Sequence, residues 1–464
     1  MRFERDSSVN CVRQAGKIMT LLDNFRVWVS RNLAPIIFLI AYFFTVVLGN
    51  IIYSFPFGKT ELLRSEYTAD ILGFDTLFTL GYWALLFLPF VLTPLVVMLV
   101  KRGAGKIVLD LSRFVVEFTK VEYSIVLSVC YGIVLYALVK ADAFTLFLNG
   151  ADAVASVVAR FKIRSQVGFF PLMVLMSLLH FLSIYSLVRW MRERSWFWVG
   201  ASIFNGVVMS AFLIMLNMKW PILIFYAGLV LTIFVYAKRY AYLKTALGGI
   251  LLIAVYLLIS AFVFRLAATD PNQAAALESS AVPNVSRTQV ANVGAAATKN
   301  APMLIFAAVN RMAIIYPYYY QVFTTEGAVC GGILAQAKVG PACRPSTFIY
   351  TRMFNDGFNG RGTAPAAVHI SGYALGGWPV AIGFLVFGSF VLALFACLPL
   401  HANAVTGALA ITGGIAGYHY SQLPLEGPII YDHGLFWVFL MLFVFTGYRY
   451  LFGFYKGSLV VAKK

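Results

Sequence analysis

The stretch "GTAPAAVHISGYALGGW", residues 362 to 378, marks a boundary in this chain. From Pro379 an apolar run continues to Leu398, the length that crosses a hydrocarbon core of roughly 30 Å as a helix. Upstream lies the longest interval of the chain without such a run. The stretch therefore reads as the end of a large polar loop entering a membrane, with His369 at the entry and Arg352 and Arg361 just before it. Composition agrees. The chain is 61% hydrophobic and 12% charged, whereas soluble domains carry roughly 45–50% apolar and about 25% charged residues. Its apolar residues come in blocks of helical-span length, without the alternation of a membrane barrel.

These blocks predict an all-α polytopic membrane protein with about ten transmembrane helices: 33–54, 77–100, 121–139, 169–188, 196–216, 221–237, 246–264, 379–398, 402–418 and 435–452. Three regions follow: a bundle of seven spans over 1–264, one large external loop with an interfacial helix over 265–378, and three spans with a tail over 379–464. The first apolar run is too long for a cleavable signal and reads as an anchor. More than half of the 36 Lys and Arg fall in the short segments that face the cytoplasm if both termini do, which sets the predicted orientation. The net charge of +17 is accounted for by this topology and by anionic lipids, without a nucleic-acid partner.

Cations on the other side are the informative ones. Arg160 and Arg164 sit in "ARFKIRSQVGFFP", and Arg311, Arg352 and Arg361 in the large loop. Lipid-headgroup contact explains any one of them; clustered at span ends, guanidinium groups suit an anionic ligand, because they grip phosphate oxygens in pairs. Residues 303–323, with Arg311 in the middle and Pro317 interrupting, predict an amphipathic helix at the membrane interface, whose apolar face could as easily pack against the other helices. Cys330 and Cys343, 13 residues apart, are the only cysteines of the external loops, and an oxidising compartment would join them. No metal-binding spacing, Gly-rich phosphate loop or nucleophile elbow is present. The candidate general bases are His369, Glu426, Asp432 and His433, with Asp356 and His419 behind them. A packing role for a lone interfacial histidine stays open. A base beside several arginines is nonetheless what moving a sugar off a diphosphate requires.

The chain resembles the Wzy-type oligosaccharide repeat-unit polymerases, relatives of the O-antigen ligases. The resemblance rests on architecture and on three stretches: "ARFKIRSQVGFFP" (159–171), "NMKWPILIFYAGLVLTIF" (217–234) and "FIYTRMFNDGFNGRGTAPAAVHISGYALGGWPVAIG" (348–383). Ligases of this group carry His-Asn where this chain has His369-Ile370, so a polymerase fits better. Glu426 in "LEGP" resembles an acidic residue of the last external loop in some members. The resemblance implies a bacterial inner-membrane glycosyltransferase with a periplasmic loop, working without metal or other cofactor. It would move an undecaprenyl-diphosphate-linked glycan, with inversion, onto the non-reducing end of a second lipid-linked repeat unit, alongside a chain-length-regulating copolymerase. Arg160, Arg164, Arg311, Arg352 and Arg361 would then hold pyrophosphates, and His369, or else Glu426, would act as base. Tyr316, Tyr319 and Trp378 would stack on sugars or anchor the interface. A ligase and a transporter of lipid-linked glycans or polysaccharide are the alternative readings.

Overall fold

The structure, a computed structural model, describes residues 22–56, 58, 78–144, 163–216, 219–262, 312–336, 343–354, 362–431 and 434–461. Every regular element among them is helical. Ten helices follow the apolar blocks: α1 (Leu33–Ser54), α2 (Leu80–Gly103), α4 (Lys120–Lys140), α5 (Phe169–Glu193), α6 (Trp196–Met215), α7 (Lys219–Tyr236), α8 (Ala241–Phe262), α11 (Val368–Ala396), α12 (Ala404–Tyr420) and α13 (Leu435–Val461). Shorter ones are α3 (Gly105–Ser112), α9 (Ile315–Thr325) and α10 (Pro345–Phe354).

Among the described residues seven helices, α1, α2, α4, α5, α6, α8 and α11, are long and apolar enough to cross a membrane. The apolar stretches Trp220–Tyr236 and Leu435–Leu451 are shorter, and α12 has 17 residues. Helix ends are locally encoded. Thr119 accepts a hydrogen bond from the Glu122 amide at 3.3 Å while the Glu122 carboxylate accepts one from the Thr119 amide at 2.8 Å, closing a capping box that starts α4.

Helix α5 is buried along nearly its whole length and serves as the central post. Ser186 and Tyr185 join it to neighbouring segments by side-chain bonds. Asn205 of α6 donates to Tyr123 of α4 at 2.6 Å and to Ser186 of α5 at 3.3 Å, and accepts from Tyr131 at 2.8 Å. In an apolar medium a polar group finds its partner on another helix, so such residues act as interhelical ties. Helix α12 uses small residues instead. It packs on α1 so closely that a Cβ on Gly417 would collide with the Ala34 carbonyl oxygen, which explains how so short a helix is enclosed from Ala404 to Gly417.

The opening stretch departs from expectation. The membrane entry was predicted at 379, but helix α11 begins at Val368 and is broken at Gly376 (φ 178°, ψ 29°) and Gly377 (φ 65°, ψ −152°). A straight helix would hold Val368 and Gly388 about 30 Å apart. Instead a Cβ on Gly388 would stand 3.6 Å from the Val368 side chain, and one on Gly372 would stand 2.8 Å from the Val380 carbonyl oxygen. The element is a hairpin: a short limb, 368–375, runs back against a long limb, 378–396. Gly377 makes the turn possible, since its left-handed φ with so negative a ψ is open only to glycine. Residues predicted as the end of the loop thus form a helix at the depth of the middle of the long limb.

A second correction concerns 303–323. Among the described residues the helix is α9, Ile315–Thr325; Pro317 falls in its first turn, where a missing N–H costs nothing, and so does not interrupt it. Its apolar face is buried against α1, α2 and the hairpin, in a core distinct from the main bundle core. The connector 265–301 lies outside the described residues.

Close packing at Gly417 has a direct consequence. Gly417→Val is expected to destabilise the protein by about 1–3 kcal/mol, read as a lower thermal unfolding midpoint in detergent, while Gly132→Val, with open space around it, leaves the midpoint unchanged.

Candidate functional site

The site forms where the short hairpin limb meets α1, α2 and α9. Residues 362–367 lead into it and are pinned on the way: the Ala364 amide donates to the Ser346 carbonyl at 2.9 Å, and the Tyr319 hydroxyl donates to the Ala364 carbonyl at 2.9 Å. The next turn puts His369 in the interior, with 0% of its surface exposed.

Three polar atoms from three elements form a triangle there. His369 Nε2 lies 3.2 Å from the Tyr42 hydroxyl and 3.2 Å from the Tyr316 hydroxyl, and the hydroxyls are 3.1 Å apart. Tyr42 is also 3.0 Å from the Leu86 carbonyl oxygen. A proton count suggests an assignment. Tyr42 has one proton, and the carbonyl, which can only accept, takes it. Burial holds the Tyr316 phenol well above its ordinary pKa, so it keeps its proton and can donate to Nε2. The imidazole then carries its own proton on Nδ1, a tautomer assigned from bond counts. Nδ1 makes no hydrogen bond in the structure, although the Leu85 backbone is close by.

A second polar pair supports the triangle. Tyr82 donates to Asn50 Oδ1, and Asn50 Nδ2 donates to the Val46 carbonyl at 2.9 Å and the Ala313 carbonyl at 3.2 Å. The Tyr82 ring meets Tyr316 edge-on with centroids 5.7 Å apart. Sequence reasoning missed Tyr42, Asn50 and Tyr82, all fully buried. A signal was present: Tyr42, Val46 and Asn50 recur at four-residue steps, one stripe of α1, and polar members of an apolar span face the protein interior.

Above the triangle sit the remaining described parts of the loop. Cys330 and Cys343 are joined by a disulfide with Cα atoms 5.7 Å apart. A Cβ on Gly332, two residues past Cys330, would stand 2.8 Å from the Leu375 carbonyl, so the disulfide-closed segment rests on the hairpin turn. Arg352 is half-exposed, pairs with Glu326 at 2.9 Å and covers the Phe348 ring at 5.3 Å. Its charge is therefore partnered within the loop. Tyr316 and Tyr319 are buried and expose no face to a sugar, which corrects the stacking role expected of them in this conformation. Trp378 is half-buried, edge-on to Tyr373 with centroids 6.0 Å apart.

Glu426 is exposed in the loop after α12. Burial, with the negative charge of Glu426 added, raises the Tyr319 phenol above its ordinary pKa. Tyr319 in turn holds Ala364, five residues before His369. Arg164 lines a separate cavity of about 320 Å³ with Phe169 and Tyr431, the latter from the same loop as Glu426. Arg160, Arg311, Arg361, Asp356, Asp432 and His433 lie outside the described residues.

Two measurements check this geometry. Tyr42→Phe, which strands the Leu86 carbonyl, and Tyr316→Phe, which strands Nε2, are each expected to cost about 1–3 kcal/mol, and the double variant to differ from the sum, because the two hydroxyls and Nε2 are in mutual contact; additive thermal shifts would show the triangle is not coupled. Reducing the disulfide, which closes a short loop, is expected to cost about 3 kcal/mol, seen as a lower unfolding midpoint with dithiothreitol. No protein-family model, curated protein or solved structure matches the chain.

Proposed function

We propose that this protein is a membrane glycosyltransferase of the repeat-unit polymerase type, with ten membrane-crossing helices and the segment between α8 and the hairpin on the periplasmic side of a bacterial inner membrane. The observation that supports the reading is the position of Tyr319: its hydroxyl donates to the Ala364 carbonyl, five residues before His369, and the Ala364 amide donates to Ser346 of α10, the helix that bears Arg352.

In the proposed reaction an acceptor sugar hydroxyl attacks the anomeric carbon of the donor glycan. The bond from that carbon to the diphosphate oxygen breaks, the hydroxyl proton passes to the base, and undecaprenyl diphosphate leaves with the electron pair. Arginines would stabilise the charge growing on the leaving diphosphate. Glu426 is exposed and can take the proton without rearrangement. His369 reaches a substrate only if Tyr316 gives up Nε2 and Tyr42 moves aside, so in the closed state it is a positioning residue that holds the hairpin in register.

A second reading has its own observation. Broken helices that turn back at membrane depth line cavities in transporters, and the hairpin at Gly376–Gly377 is such a break. A transporter would move lipid-linked glycan without making a glycosidic bond.

The experiment is a gel of surface polysaccharide from a deletion strain complemented with wild type, Glu426→Gln or His369→Ala, with membrane levels checked. The expected result is a ladder with wild type and single repeat units in the deletion. Glu426→Gln at normal abundance should lower ladder formation by about 10²–10⁴-fold if it is the base. Normal ladders from both variants, combined with loss of every surface unit in the deletion, would reject the polymerase and leave a ligase or an export step.

A further inference from the structure

The opposite end of the bundle holds a feature that the proposed reaction does not use. A cavity of about 970 Å³ is lined by Arg26, Arg31, Lys101, Arg192, Lys238 and His401. These residues come from five separate places: the segment before α1, the end of α2, the end of α5, the turn after α7 and the turn between α11 and α12. The fold, and no single run of sequence, brings them together.

The cations are held in place. Arg26 donates to the Ala237 carbonyl at 2.6 Å, Lys101 to Asn32 Oδ1 at 2.6 Å, and Arg192 to the Ala402 carbonyl at 3.4 Å. Neutralisation is incomplete. Arg26 has a loose contact with the exposed Asp23 at 3.8 Å. Arg192 stands 3.7 Å from Glu117, whose carboxylate already binds Arg189 and the Ala404 amide. Arg192 Nη1 is shielded from solvent and makes no hydrogen bond. For Arg31, Lys101 and Lys238 no carboxylate partner occurs among the described residues. Burial, and then the positive charges of Arg192, Arg26 and Arg31, hold the His401 imidazole below its ordinary pKa.

A concave site of one charge sign focuses its field and concentrates counter-ions. Guanidinium groups favour phosphate oxygens, which they bind in pairs. We infer that this cavity is a binding site for a phosphate-bearing anion, the headgroup of an anionic lipid seated among the helix ends. Its position argues for a lipid: the lining residues cluster at the ends of α2, α5, α7 and α11 and just before α1, where headgroups meet a membrane protein. The wall is completed by Met191, Val235 and Leu398, apolar surface suited to the start of an acyl chain. The site is independent of the chemistry proposed at the hairpin end.

The test uses the full chain, purified in detergent, and native mass spectrometry. Phosphatidylglycerol is compared with phosphatidylcholine of the same acyl chains, and inorganic pyrophosphate is the soluble probe. Arg31→Gln with Lys238→Gln removes two exposed cations of the cavity. Arg113→Gln with Lys120→Gln removes two exposed cations of the same end that do not line it. Thermal unfolding verifies that both double variants fold. The expected result is preferential retention of phosphatidylglycerol that falls roughly tenfold or more in the cavity variant and is unchanged in the control variant. Saturable pyrophosphate binding lost only in the cavity variant, without lipid preference, would keep the phosphate site and assign it a soluble ligand. Equal retention of both lipids with no pyrophosphate binding, or equal loss in the two variants, would overturn the inference.

Discussion

A buried imidazole in an apolar bundle has to find hydrogen-bond partners, and here they come from distant parts of the chain. His369 meets Tyr42 from α1 and Tyr316 from α9, and the Leu86 carbonyl of α2 completes the set. Because these groups are buried, leaving one unpaired costs more than making its bond gains. The constraint explains why α9 lies against the bundle and why residues 362–375 run inward. It also explains a second core, separate from the main one, built from the outer halves of α1 and α2, the loop helices and the short hairpin limb.

The same logic recurs elsewhere with different residues. Asn205 ties α4, α5 and α6 through Tyr123, Tyr131 and Ser186. Where two helices approach without polar ties, as α1 and α12 do, close contact at Gly417 replaces them. The hairpin needs both devices: Gly377 for the reversal, and the triangle to hold the limb that the reversal creates.

Among the described residues the two ends of the bundle hold their polar groups differently. One end is rich in tyrosine, closed by a disulfide and held by neutral hydrogen bonds, with Arg352 partnered by Glu326. The other carries an under-neutralised cationic cavity. A chain with net charge +17 distributes positive residues widely, and the fold decides which of them share a cavity.

Much of the helical architecture was legible because period and length are local properties. Blocks of apolar residues fixed α4 and α6 to within a residue or two of Lys120–Lys140 and Trp196–Met215, and two cysteines 13 apart were enough to suggest the pair that forms. His369 was visible as an unusual residue at a boundary, yet its surroundings were not. The reversal at Gly376–Gly377 looks in sequence like a glycine-marked helix entry, because a one-dimensional apolar pattern reads the same whether the chain continues or folds back. Tyr42 and Tyr82 passed as ordinary aromatics of a span, and Tyr316 and Tyr319 as sugar platforms, since exposure is set by what packs on a residue and not by its type. Sequence alone determined that this chain is helical and apolar enough for a membrane. Tertiary structure decided which polar groups meet, because hydrogen bonds and shared charge depend on distances between residues hundreds of positions apart, such as the 327 that separate Tyr42 from His369.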